Sequence, residues 1–287
     1  MPSSSASVLG ATRVPAVLLA LVAWLMATPL AAQPRPLIGS GTVHARGTLQ
    51  AVSVGPTRAA ILVTLAVDPG WHVSWRNPGE TGLPTRLDWS LPAGVRAVRE
   101  TWPVPVIAHT DVGATHTLEG EIPWLVEFAV DGESGADRPI QLTIRYGVCR
   151  NVCIPEQLTV RGVLPGGASV VPPPVTAKLR ARLAADGGTI AARRRGLSEL
   201  CLDRLPESWS GSGIEMVADS GRNLDAAMPV TRRAGASAGP WLVRLPAGGV
   251  LRSAIDTVLL VQGARGLSVP LDFRAPVRRC GGRRGPA

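Results

Sequence analysis

The sequence predicts an all-β protein built as an antiparallel sandwich, and two observations carry that prediction. Between residues 39 and 165, short runs with an apolar residue at every second position follow one another. The clearest are ILVTLAV at residues 61–67 and IPWLVEFAV at residues 122–130, which place their large apolar side chains on one face. Turn formers such as DPG at residues 68–70 and NPG at residues 77–79 separate the runs. This spacing is typical of an antiparallel sandwich.

The N-terminal segment matches a secretory signal. Arg13 precedes the apolar run VPAVLLALVAWLMATPL, and the small residues AAQP follow it. We therefore expect residues 1–32 to be a signal peptide that directs export. An uncleaved membrane anchor is the alternative, because a run of this length can span a bilayer. The prolines at 15 and 29 and the Ala-Ala end favour cleavage.

The remaining chain, about 255 residues, is long enough for two domains of ordinary size. A stretch rich in Pro and Gly, LPGGASVVPPP, divides it. We predict a first β domain at residues 36–165, a linker at 166–174, a second small β domain at 175–276 and a basic flexible tail at 277–287. The second domain contains alternating runs such as DTVLLVQGARGLSVPLDF.

One helix is predicted directly after the linker, in PVTAKLRARLAADGG. Thr176 is a candidate N-cap, and Gly187 is a candidate stop. Val175, Leu179 and Leu183 would lie on one face of this helix.

The net charge does not indicate a nucleic-acid partner. The chain has 30 Lys and Arg against 21 Asp and Glu, a formal charge of +9. The basic residues are almost all Arg and lie near turn formers, with no helix face that interleaves them with aromatic side chains. Solvated loops explain them better.

A cysteine pair in YGVCRNVCIPE, residues 146–156, is the strongest candidate for chemistry. Both flanking runs, QLTIRY and QLTVRGV, alternate like β-strands, so Cys149 and Cys153 should face each other across a short hairpin loop. Opposed residues of an antiparallel pair lie about 4.5 to 5.5 Å apart, a separation that a disulfide can bridge. Alternation also places Cys149 on the polar face with Thr143 and Arg145, where it would be exposed.

The residues leave three uses for this pair open. A structural disulfide is one, but closing so small a loop stabilises a fold by only about 2 kcal/mol. Redox exchange is the second, and Arg145 and Arg150 nearby would favour a thiolate at Cys149. Binding of Cu(I) is the third, because soft thiolates suit that ion. The candidate additional ligands are His72, His109 and His116.

The other cysteines and the tryptophans carry separate expectations. Cys201 and Cys280 would close a long loop, worth about 4 to 5 kcal/mol, which is typical of a structural disulfide; the alternative is that they are unpaired. Three tryptophans lie within residues 70–89 and can fill the core, form a wall beside the cysteines or stack on sugars. A non-redox structural or adaptor sandwich, with this stretch as its binding surface, is therefore a further alternative.

The segments WHVSWRNPGETGLPTRLDW, TWPVP and YGVCRNVCIPE together resemble the periplasmic amino-terminal domain of the DsbD and ScsB group of membrane thiol reductases. The resemblance covers residues 36–164 well and the second half more loosely. It implies immunoglobulin-like domains, a redox pair at Cys149 and Cys153, and Cys153 as the member that forms mixed disulfides. It also implies a cap loop that shields the cysteines, which we expect within residues 102–110.

The same resemblance implies a periplasmic thiol:disulfide oxidoreductase of the protein-disulfide reductase type, without a cofactor. Its expected partners are thioredoxin-like periplasmic proteins and a membrane thiol reductase on other chains. The sequence lacks the family's membrane-spanning and thioredoxin modules, so we expect contact with the membrane only through partners or an uncleaved signal segment.

Overall fold

The computed structural model describes residues 40–111, 113–131, 136–166, 169–170, 176–196, 198–209, 212–219, 227–232, 240–245 and 257–274. The predicted signal peptide and basic tail lie outside the described residues. Among the residues described, no helix is long and apolar enough to cross a membrane. The described residues, from Ser40 onward, belong to one compact unit.

The described residues form a succession of β-strands and one short helix. The strands of the first half are β1 (Ser40–Gly41), β2 (Ala45–Val54), β3 (Arg58–Val67), β4 (His72–Gly79), β5 (Arg86–Ser90), β6 (Val95–Thr101), β7 (Val106–Thr110), β8 (Gly113–Glu119), β9 (Glu121–Val130), β10 (Arg138–Cys149), β11 (Cys153–Leu164) and β12 (Ser169–Val170). The second half contains α1 (Thr176–Arg180), β13 (Ala185–Asp186), β14 (Ile190–Arg195), β15 (Glu199–Leu202), β16 (Ile214–Ala218), β17 (Met228–Arg232), β18 (Trp241–Arg244), β19 (Thr257–Gln262) and β20 (Arg265–Asp272).

Two sheets pack face to face in the first half. One has the order β1-β2-β3-β9-β6, with β12 beside β2; the other has the order β11-β10-β4-β8-β7, with β5 beside β10. Their inner faces enclose a core in which Trp75, Trp124 and Phe128 are the largest fully buried side chains. Alternation along each strand supplies these apolar faces. The predicted all-β, immunoglobulin-like sandwich is confirmed.

The second half is a smaller β structure with its own apolar core. Its strands follow the order β14-β15-β18-β17-β16-β19, and β20 pairs with both β19 and β14, so that the ladder closes on itself. Closure leaves few free sheet edges. The residue bounds of the two domains stay predictions.

The predicted helix is shorter than its sequence pattern indicates. It begins at Thr176, which is its first helical residue and not its cap, and it ends at Arg180. The predicted extension to Gly187 was wrong, because the chain there pairs with other elements: Leu183 forms a bridge with Pro103, and β13 pairs with β20. Tertiary hydrogen bonding overrides local helix propensity. Val175 lies outside the described residues.

The two halves share part of one core. Val217, Leu259 and Val261 of the second half belong to the apolar cluster of the first. Backbone bonds join the same surfaces, since the Ala184 amide donates to the Trp102 carbonyl at 2.9 Å.

Candidate functional site

The cysteine hairpin is a continuous two-stranded ladder. β10 and β11 pair without a shift from Arg138 opposite Leu164 to Cys149 opposite Cys153. The two cysteines form a disulfide with a Cα separation of 4.0 Å. The predicted facing is therefore confirmed. The separation is shorter than expected, which indicates a non-hydrogen-bonded position, where opposed residues come closest. Pro155 lies two residues further on and has no N–H to give to β10, which fits this register.

The two sulfurs differ in access. Cys149 is 3% exposed, whereas Cys153 is exposed. The predicted exposure of Cys149 was wrong. Its parity was right, since it shares a face with Arg145 and Gly147, but that face is covered at its position. Cys153 lies on β11, an edge strand of its sheet, so a partner can approach it from the side.

The chain between the β10-paired parts of β4 and β5 lies over this face at Gly147. Both strands pair with β10, His72 opposite Cys149 and Arg86 opposite Arg145. The chain leaves the β10 edge after Val73 and returns to it at Arg86. We call residues 75–85, the last part of β4 together with the turn that follows it, the shield loop. The Thr85 hydroxyl donates to the Ser74 carbonyl at 2.6 Å and closes the neck of the loop.

Leu83 of the shield loop lies on the strand next to the disulfide. A Cβ atom added to Gly147 would come within 2.8 Å of the Leu83 Cβ, so the glycine makes room for this side chain. Gly147 is the neighbour of Cys149 on the same face. Leu83 belongs to GETGLP, residues 79–84, which is part of the segment that carries the family resemblance.

Part of the segment expected to form the cap lies away from the hairpin. Residues 106–110 form the edge strand β7, three strands from β10, and pair with β8. Trp102 is buried in the core and donates its Nε1 hydrogen to Glu100 at 3.1 Å. Residues 106–110 therefore lie away from β10 and β11, and the cap expected within residues 102–110 stays a prediction.

Two arginines near the hairpin differ in their surroundings. Arg145 forms an exposed ion pair with Asp88 at 3.2 Å, so its charge is shared across β5 and β10. Arg150 is exposed in the loop between the cysteines, where its amide donates to the Val152 carbonyl at 3.2 Å. Its predicted support of a thiolate stays a prediction.

The histidines proposed as copper ligands are dispersed. His72 is the register partner of Cys149 on β4. The Nε2 of His109 lies 2.7 Å from a carboxylate oxygen of Glu215, and His116 is fully buried. Across the described ranges, no group of three or more His, Cys, Asp or Glu side chains is placed to hold a metal ion.

The tryptophans of residues 70–89 belong to the core and its margins. Trp75 is fully buried and donates its Nε1 hydrogen to the Pro103 carbonyl at 2.9 Å. Trp71 stacks on His44 with ring centroids 3.8 Å apart, and Trp89 packs edge-on against the core. This placement favours core filling over a sugar platform.

Cys201 is fully buried and disulfide-bonded. Cys280 lies outside the described residues, so the pairing of these two cysteines stays a prediction.

A charged cluster at the join between the halves has no signal in the sequence. The Arg76 guanidinium lies 4.9 Å from the Trp75 ring centroid and 5.1 Å from that of Trp102, and it forms an ion pair with Asp219. Burial raises the pKa of Asp219 and of Glu100 and lowers the pKa of Arg76, although the opposite charges counteract each shift. The cluster places residue 76 of the shield loop in contact with the second half.

The family model described as thiol:disulfide interchange protein DsbD, N-terminal, matches residues 44–165. Residues 44–165 belong to this family. The resemblance found in the sequence is thereby confirmed, and at the level of the family it supports thiol–disulfide interchange.

A solved structure supports the fold across both halves. The N-terminal periplasmic domain of ScsB from Proteus mirabilis is 18% identical, with a TM-score of 0.53, and the match covers 83% of this chain and 98% of that one. The GAE domain of GGA2p from Saccharomyces cerevisiae is 7% identical with a TM-score of 0.32, and the match covers 47% of this chain and 100% of that one. No curated protein is a significant match.

Proposed function

We propose that the protein relays electrons by thiol–disulfide exchange through Cys149 and Cys153, and that Cys153 forms the mixed disulfide with partners. The observation that carries the proposal is the asymmetry of the hairpin disulfide, with Cys149 buried and Cys153 exposed on an edge strand. Exchange requires access to the attacked sulfur.

The exchange proceeds in two steps. A thiolate of a reduced partner attacks Sγ of Cys153, the Cys149–Cys153 bond breaks, and Cys149 leaves as a thiolate that then takes up a proton. The partner's second cysteine then attacks the sulfur of the partner's first cysteine in the mixed disulfide, and Cys153 is released as a thiolate. Two electrons have passed to the hairpin, and the partner's two cysteines are now joined in a disulfide.

The reduced hairpin passes these electrons on by the reverse chemistry. The Cys153 thiolate attacks a disulfide of an oxidised protein, and Cys149 then attacks Sγ of Cys153. The hairpin disulfide forms again and the reduced protein is released. The Cys149 sulfur, shielded from solvent, reacts within its own chain and acts as the resolving thiol.

The partners follow from this chemistry and from the family. The electron donor is a membrane thiol reductase or a thioredoxin-like protein on another chain, and the acceptors are oxidised periplasmic proteins. The predicted signal segment and the periplasmic relative support a location in the periplasm. The protein would then carry electrons between this donor and these acceptors.

Trapping in the periplasm tests the roles of the two sulfurs. Cys149→Ser leaves an exposed thiol that cannot be resolved, so it should accumulate mixed disulfides with partners. Cys153→Ser is the matched control, because its remaining thiol is buried and should capture little. Equal capture by both variants contradicts the assignment.

Equilibration with a redox buffer tests the relay itself. At a potential near that of thioredoxin, about −270 mV, a relay disulfide is substantially reduced in the folded protein. A hairpin that stays fully oxidised there is a structural bridge, and the relay proposal fails.

A further inference from the structure

The second half of the molecule holds the shield loop through Asn77. This side chain is fully buried. Its amide nitrogen donates to the carbonyl of Ala218, at the end of β16, at 3.0 Å, and its amide oxygen accepts from the Gly79 amide at 3.1 Å. One side chain thus connects the second half to the turn of the loop.

The ion pair between Arg76 and Asp219 is a second link beside the first. Asp219 directly follows Ala218, and about a fifth of its side chain is exposed, 21%. Neutralising the acidic partner would remove the charge that draws the Arg76 guanidinium toward the second half, and would leave Glu100 of the first half as its nearby opposite charge. The link therefore resists separation of the two surfaces.

The first half fixes the rest of the loop. The Glu80 amide donates to the Ala114 carbonyl at 2.8 Å, and the Glu80 carboxylate accepts from the Ala114 amide at 2.6 Å. The Thr85 hydroxyl closes the neck on Ser74. Between these fixed points, Leu83 lies on Gly147.

We propose that the second half is a positioning element for the redox hairpin. Through Asn77 and Arg76 it keeps the shield loop in place, the loop keeps Leu83 on Gly147, and Cys149 stays covered. Asn77, Arg76 and Asp219 are positioning residues that act through this loop. Their consequence for exchange rests on the proposed function, because a cover over Cys149 controls which sulfur a partner reaches.

The test measures access to Cys149 in the full chain with Cys153→Ser as background, by alkylation and mass spectrometry of the folded protein. Asp219→Asn removes the countercharge of Arg76, and Asn77→Asp replaces the donor to Ala218 but keeps the acceptor for Gly79. The matched control is Asp186→Asn, which removes the exposed ion pair between Asp186 and Arg99 at 2.9 Å, also between the halves.

Asp219→Asn and Asn77→Asp should each raise the alkylation rate of Cys149 about tenfold over the rate in Asp186→Asn. Low concentrations of urea should leave these rates unchanged, because the loop opens locally. Asp219→Glu restores the charge and should return the rate toward that of the background. Rates equal to the control, or an increase that depends steeply on urea and so reports global unfolding, overturn the proposal.

This outcome is independent of the relay. If thioredoxin fails to reduce the hairpin but the alkylation rates still separate, the proposed function fails and the positioning role stands. If reduction proceeds and the rates coincide, the positioning role fails alone.

Discussion

At the scale of single residues, the hairpin depends on contacts at its base as well as on its disulfide. Tyr146 lies on the inner face of β10, and its hydroxyl donates to a carboxylate oxygen of Glu156 at 3.1 Å. Since that hydrogen is used, the Thr42 hydroxyl, 3.0 Å away, donates to the tyrosine oxygen. Burial is the main cause that raises the pKa of Tyr146 to about 12. The phenol therefore remains a donor at every physiological pH.

Tyr146→Phe should lower the unfolding free energy by about 1 kcal/mol at pH 7, since it removes these hydrogen bonds and keeps the ring. The folded protein keeps the phenolic proton up to about pH 12, whereas the unfolded chain loses it near pH 10. Wild-type stability should thus fall as pH rises through this window, and that fall should be absent in the variant.

Urea unfolding followed by circular dichroism from pH 7 to pH 11 measures both effects. Thr42→Val is the matched control, because it removes the hydroxyl that donates to Tyr146 but leaves the titrating group. A control that also loses the fall above pH 10 would contradict the assignment to Tyr146.

At the scale of elements, the sequence predicts the strands and the two faces of each strand. It predicts less well which other residues pack over a given face. The alternation of Leu142, Ile144 and Tyr146 gave the inner face of β10, and the cysteine spacing gave the hairpin. Alternation reports which face a residue occupies, but only the tertiary structure decides what lies over that face. Alternation therefore places Cys149 on the correct face of β10 but does not predict its burial. Likewise, the helical pattern after Thr176 does not show the long-range pairing of residues 183–186 that ends the helix early.

The shield loop depends on a glycine at its sharpest approach to a neighbouring strand. Gly79 has a φ of 85°, and a Cβ atom there would lie 2.2 Å from the Ala114 carbonyl oxygen. Gly70, at the turn before β4, has a φ of 80° and no atom within 4 Å of an added Cβ. The two positions share the backbone conformation and differ in the contact.

Gly70→Ala should cost about 1 kcal/mol of unfolding free energy, from backbone strain alone. Gly79→Ala should cost clearly more, by about 1 to 3 kcal/mol, because a backbone atom must also move. Chemical unfolding of the two variants side by side measures the difference. Equal costs would show that the loop does not approach β8 as closely as described.

At the scale of the whole molecule, the join between the halves combines an apolar surface with buried charge. Ala184, Val217 and Leu259 complete the core of the first half. The Arg76 cluster lies at the same join, and no pattern in the sequence indicated it, because Arg76 and Asp219 are 143 positions apart, 219 minus 76. Such a join ties stability to pH, since its carboxyl groups have pKa values displaced from those of the unfolded chain.

The carboxyl groups of Glu100 and Asp186 at this join should change the unfolding free energy with pH in opposite directions. Burial raises the pKa of Glu100, whereas a bond from the Gly188 amide and the proximity of Arg99 lower the pKa of Asp186. For Glu100, the folded protein holds the proton more tightly than the unfolded chain, so ionisation at neutral pH is a cost to folding. For Asp186, ionisation favours folding above the unfolded pKa, about 3.9.

Glu100→Gln should therefore be more stable than the wild type at pH 7, and the gain should vanish as pH falls below the unfolded glutamate pKa of about 4.3, where the carboxyl is protonated in both states. The glutamine oxygen can still accept from Trp102. Asp186→Asn should be less stable at pH 7, and its loss should vanish as pH falls through the lowered folded pKa. Unfolding free energies from urea titrations between pH 3 and pH 8 measure both, and displacements of the same sign would contradict the burial of Glu100 at the join.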